Sequence, residues 1–181
     1  MYTELSFLGG EDELGSNSLS GDDDSNGILL NDSKAQGRGG YTSSEDPNRT
    51  GNPERGFGRL AHQTFHITAE NVDAIERHLS KPLFLEDDGS IAPANARMIA
   101  RLRKALAEGR PIAEADASFY FHELYEADLM DNAGLDYKIA HRIALDYYDV
   151  ADFTVYHSDV VQELRGKFGS TWSTFWGIGG E

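Results

Sequence analysis

The chain changes character near residue 55, and that break limits what can fold. Residues 1–55 are rich in Gly, Ser, Asn and Asp, hold few aromatics and show no sustained apolar period. Such a stretch buries too little apolar surface to offset the entropy lost on ordering, so it reads as a disordered, acidic linker or passenger segment. Within it, Asp22-Asp23-Asp24-Ser25-Asn26-Gly27 matches the first half of a calcium loop, with Gly at the tight turn and Leu29 at the apolar eighth position. The twelfth position is Ser33, where a bidentate Glu is required, and no helix signals flank it. The linker reading is therefore preferred. The core has to come from residues 56–181, a usual length for one domain.

In that second part the apolar residues follow a helical period. Thr68 is placed to cap a helix carrying Val72, Ile75 and Leu79 on one stripe and ending before Lys81-Pro82. Phe84 to Ile91 reads as a turn or short hairpin. A second helix starts near Pro93, points Met98, Leu102, Ala105 and Leu106 inward, and stops at Gly109 ahead of Pro111. A third holds Phe119 to Glu126 and ends near Asn132-Ala133-Gly134. Asp136 then caps a fourth, with Ala140, Ile143, Ala144 and Tyr147 on its inner face. The short loop between these two predicts a central antiparallel helix hairpin. Beyond Tyr148 the pattern is irregular until a short helix after His157, for which Ser158 is the expected cap. The aromatic end, Phe168 to Trp176, is expected to dock on the helical core. The fold class is mainly α: a small helical domain after a disordered segment.

Chemistry concentrates in Phe119-Tyr-Phe-His-Glu-Leu-Tyr-Glu126, followed by His141 and His157. On a helix, positions i and i+4 share a face, so His122 and Glu126 can point at one ion or one substrate atom, with Glu123 beside them. In zinc peptidases the spacing His-Glu-x-x-His uses this geometry, with the Glu as general base. Here Glu126 takes the second ligand position, and carboxylate is an accepted zinc ligand. His122, Glu126 and His141 are thus candidate ligands for a divalent metal such as Zn. The same residues suit metal-free acid–base cleavage, in which one imidazole takes a proton and a second imidazole gives one, or a carboxylate orients the first. His157, just before a helix amino terminus, would be held neutral there or beside a bound anion. The plain alternative is a packed aromatic helix with solvated carboxylates and a loop histidine bonded to a carbonyl.

The chain has no Cys, which removes disulfides, thiolate zinc sites and a cysteine nucleophile. No apolar run approaches the length of a membrane span, and the amino terminus lacks the order of a signal peptide, so a soluble chain is expected.

The succession Phe119-x-x-His122-Glu123-Leu124-x-Glu126-x-x-Leu129-Met130, Ala140-His141, Val155-Tyr156-His157-x-Asp159-Val160-Val161 and Trp172-x-x-Phe175-Trp176-Gly177 resembles a carboxy-terminal toxin module of bacterial polymorphic toxins. Such modules end Rhs-repeat, filamentous-haemagglutinin and contact-dependent-inhibition proteins. The likeness covers about residues 68–177. It implies an enzymatic effector of bacterial competition, secreted or delivered into a target cell's cytoplasm by a larger protein and neutralised in the producer by a cognate immunity protein. Many such modules cleave RNA or DNA, which would make nucleic acid the substrate.

Charge bears on that implication. The whole chain carries a formal net charge of -15, and residues 56–181 hold 12 Lys and Arg against 20 Asp and Glu, a net of -8. Nucleic-acid enzymes usually present a basic surface. Arg97, Arg101 and Lys104 nevertheless share one face of the second helix and are candidates to hold a phosphate backbone, unless that face is merely solvated. Three readings fit. The first is a toxin nuclease with His122 and His141 or His157 as base and acid, and Glu123 or Glu126 orienting them or binding metal. The second is a zinc-dependent hydrolase or peptidase with His122, Glu126 and a later His as ligands and Glu123 polarising water. The third is a non-catalytic acidic protein of the immunity type that binds a basic partner.

Overall fold

The computed structural model describes residues 53–178, so the calcium-like loop and nearly all of the acidic segment lie outside the described residues. The described chain is mainly helical, with six α-helices and one two-stranded sheet. The helices are α1 (Ala69–Leu79), α2 (Pro93–Ala107), α3 (Glu114–Asp131), α4 (Tyr137–Tyr148), α5 (Ser158–Glu163) and α6 (Ser170–Phe175); the strands are β1 (Thr64–Phe65) and β2 (Ile112–Ala113).

Local chemistry sets these boundaries. Thr68 accepts a hydrogen bond from the Asn71 amide at the start of α1, and Asp136 accepts one from the Ile139 amide at the start of α4, each satisfying one of the donors a helix start leaves open. Pro93 opens α2 with its fixed φ. Leu85 bridges Ile91 in the expected turn. For α5 the expected cap is corrected by one residue: His157 itself accepts from the Asp159 amide through Nδ1, and Ser158 is already helical. The antiparallel pairing of Thr64 with Ala113 and Phe65 with Ile112 anchors the residues just before α3.

α3 is the central element. Its buried residues include Ala115, Ala117, Phe119, Tyr120, His122, Glu123 and Glu126, which go round the helix rather than along one stripe. A helix of that kind needs neighbours on most sides. It packs on α1, α2 and α4. With α4 it forms the expected hairpin: Phe121 meets Tyr148 while Glu126 meets His141, so the pairings run in opposite chain directions.

The core joins Val72, Ile75 and Leu79 of α1 to Met98, Ile99, Leu102 and Ala105 of α2 and Phe119 of α3. Three expected inward positions differ. Leu106 and Ile143 are only half-buried, and Ile99 takes the place of Leu106. Tyr147 is 50% exposed, packs at a tilt against Tyr125 and lies under Arg59, while Leu145 is buried on α4. A tyrosine can cover a hydrophobic seam and keep its hydroxyl in water. The aromatic end does dock on the core: Trp172 and Phe175 are buried against Phe153, and Trp176 donates its indole N–H to the Phe153 carbonyl. Gly58, at φ 45°, is needed where it stands, because a Cβ there would lie 1.9 Å from the Asp149 carbonyl oxygen.

Candidate metal centre

The helical spacing of α3 brings His122 and Glu126 to one face, and the hairpin brings His141 of α4 onto them. His122 Nε2 lies 3.3 Å from Glu126 Oε2 and 3.0 Å from His141 Nδ1, and His141 Nδ1 lies 2.8 Å from the same carboxylate oxygen. A triangle with these sides has a circumscribed radius of about 1.8 Å, so a point about 1 Å off its plane is ~2.0–2.1 Å from all three atoms, the usual zinc–nitrogen and zinc–oxygen distance. The three residues could therefore hold one divalent ion with an open side left over. His122 and Glu126 are buried and His141 is partly exposed.

Supporting contacts surround this triangle. Asp152 Oδ1 lies 3.6 Å from His141 Nε2, a carboxylate behind a histidine whose other nitrogen faces Glu126. On the far side of Glu126, Oε1 is 3.0 Å from Nε2 of His78, a buried residue of α1. Lys81 approaches His78 Nδ1 at 3.3 Å. An ammonium can only donate, so Nδ1 accepts and the His78 proton sits on Nε2, donated to Glu126. Glu126 thus uses one oxygen toward His78 and the other toward His122 and His141. His122 Nδ1 is buried without a hydrogen-bond partner.

Electrostatics follows from burial and these contacts. Burial pushes Glu126 toward protonation, but hydrogen bonds with His122, His141 and His78 outweigh it and hold its carboxyl well below the usual range. For Glu123 the opposing pull of His141 is outweighed: burial and the neighbouring Glu126 raise it well above an ordinary carboxylate, and its Oε2 has no hydrogen bond. Burial lowers His141, yet Asp152 and Glu126 bring it up to about 10. Burial lowers His122. Around an ion, the protons on these ligand nitrogens would give way to the metal.

Glu123, Glu126, His141 and Asp152 stand on the wall of a cavity of about 130 Å³ whose other side is largely apolar and aromatic, with Leu79, Phe84, Tyr137, Val155, Tyr156 and Trp172 among its lining. Burial and the charge of Glu126 raise the Tyr137 hydroxyl, so it stays protonated as a donor.

The remaining candidates are placed elsewhere. His157 sits beside Arg101, Asp116 and Asp159, with its amide against the Met98 sulfur, and does not join the His122 group. Arg101 grips the buried Asp116 through Nε at 2.7 Å and Nη2 at 3.1 Å and also meets Asp159. Arg97 pairs with Glu163, and Lys104 lies 3.9 Å from Glu108. All three cations expected on a phosphate-holding face thus have carboxylate partners.

Sequence reasoning did not single out His78, Asp152 or Tyr137. For His78 a signal was present: it falls three residues after Ile75 and one before Leu79, at the edge of the apolar stripe of α1. Asp152 and Tyr137 carry no spacing that separates them from other surface residues. No protein family, curated protein or solved structure matches this chain.

Proposed function

We propose that this chain is a metal-dependent hydrolase domain whose ion is held by His122, Glu126 and His141. The observation that carries the reading is the convergence of their three ligand atoms at one point beside a cavity. A divalent ion there would polarise a carbonyl or phosphoryl oxygen and lower the pKa of bound water. Asp152 fixes the orientation of His141, His78 fixes that of Glu126, and the apolar wall around Phe84 and Trp172 excludes bulk water from the reacting group. Glu123 adds a third carboxyl group to the cavity wall, beside Glu126 and Asp152.

Two features favour an uncharged substrate bond, such as a peptide or other amide, over a phosphodiester. The cavity lining carries the carboxylates of Glu126 and Asp152 and no Lys or Arg to hold a polyanion, and Arg97, Arg101 and Lys104 are already paired. The resemblance to polymorphic-toxin modules supplies the setting in this reading: an effector carried by a larger protein and restrained by an immunity protein. The test incubates the chelator-stripped chain, wild type and Glu126→Gln, with mixed peptides, total RNA and plasmid DNA, with and without added zinc or manganese. Metal-restored cleavage of peptide by the wild type alone is the expected result. Cleavage that persists in EDTA overturns the metal reading, and metal-restored cleavage of nucleic acid alone returns the nuclease.

A further inference from the structure

The deeper side of Glu126 carries a second set of ligand atoms. His78 Nε2 lies 3.0 Å from Glu126 Oε1 and 4.0 Å from Glu123 Oε2, all three residues are buried, and the three ligand atoms lie within 4.8 Å of one another. This triangle is wider than that of His122, Glu126 and His141, and a closure of a few tenths of an ångström brings its atoms to ordinary ligand distance.

We infer that a second divalent cation binds between His78, Glu123 and Glu126, so that the Glu126 carboxylate bridges two ions. The inference rests on the one-ion reading above, since it takes Glu126 Oε2 to be a ligand of the first.

Three observations support it. The two oxygens of Glu126 face opposite histidine sets, Oε1 toward α1 and Oε2 toward the His122–His141 pair, which is how a bridging carboxylate is arranged. Glu123 Oε2, on a residue only 5% exposed, has no hydrogen bond and points at His78. A buried carboxylate oxygen in that condition lacks compensation that a cation supplies directly. The ligands also sit on two packed helices, α1 and α3, so the site does not depend on a loop.

Binding replaces protons. The cation takes the place of the hydrogen that His78 Nε2 donates to Glu126. His78 then keeps its proton on Nδ1, and the Lys81 ammonium withdraws onto Asp131, which it already contacts. Two ions about 3.5–4 Å apart can share one water and stabilise both the attacking and the leaving oxygen.

The test is metal stoichiometry by native mass spectrometry of the chelator-stripped full chain titrated with zinc or manganese. The variants are His78→Gln and Glu123→Gln, with circular dichroism as the fold control. Glutamine at 78 retains a donor toward Glu126, so the fold is expected to hold. Two ions in the wild type and one in each variant is the predicted result. One ion in all three chains removes the second site and leaves the first intact. Two ions in both variants also overturn the inference, because the second ion then lies elsewhere. Failure of the wild type to bind any ion sinks both readings.

Discussion

His78 and Glu126 lie 48 residues apart in the chain and meet at 3.0 Å in the interior. The contact ties α1 to α3 and directs the carboxylate toward His122 and His141. A buried carboxylate with a partner removed keeps its desolvation cost without the compensating bond, typically about 1–3 kcal/mol and more for a charged group. Metal-free His78→Ala is therefore expected to lose about that much unfolding free energy in urea, and His78→Gln clearly less. Equal loss in the two variants would show that packing, not the hydrogen bond, sets the value.

His141 gives the metal-free protein a pH signature. Its folded pKa, about 10, lies above the ordinary value of 6.5. The stability it contributes is thus fully present below pH 6.5 and is lost as pH rises toward 10. In EDTA, the melting temperature of wild type minus that of His141→Gln is expected to shrink from pH 6.5 to pH 10. A constant difference over that window contradicts the pairing with Glu126 and Asp152.

The cations of α2 are predicted to be structural. Arg101→Ala strands the buried Asp116 and is expected to cost about 1.5–3 kcal/mol. The exposed pairs of Arg97 and Lys104 are each worth less than about 1 kcal/mol. If the account is right, Arg97→Ala and Lys104→Ala leave both melting and hydrolysis close to wild type. Loss of nucleic-acid cleavage in those two variants, with the fold intact, would restore a phosphate-holding role.

The fold was largely legible because its signals are local. Thr68 and Asp136 mark helix starts by their own side chains, Pro93 by its ring, and the apolar stripes of α1 and α2 by spacing; Thr68→Ala and Asp136→Ala should each cost about 1 kcal/mol in urea. The pairing of His122 with Glu126 follows from helical geometry alone. The sequence names His141 as the third ligand without showing that it reaches the other two; the hairpin, held by contacts such as Phe121–Tyr148, brings it onto Glu126, while His157 caps α5. The charge of α2 was legible, but its neutralisation was not, because Asp116, Asp159 and Glu163 come from other helices.

Calorimetric titration of zinc into the chelator-stripped full chain, wild type against His141→Ala and Glu126→Gln, addresses the metal centre most directly. The account predicts tight binding by the wild type and a loss of at least about 10–100-fold in each variant, since removing a ligand should cost no less than removing its supporting partner. Equal affinity in the three chains would contradict an ion held by His122, Glu126 and His141.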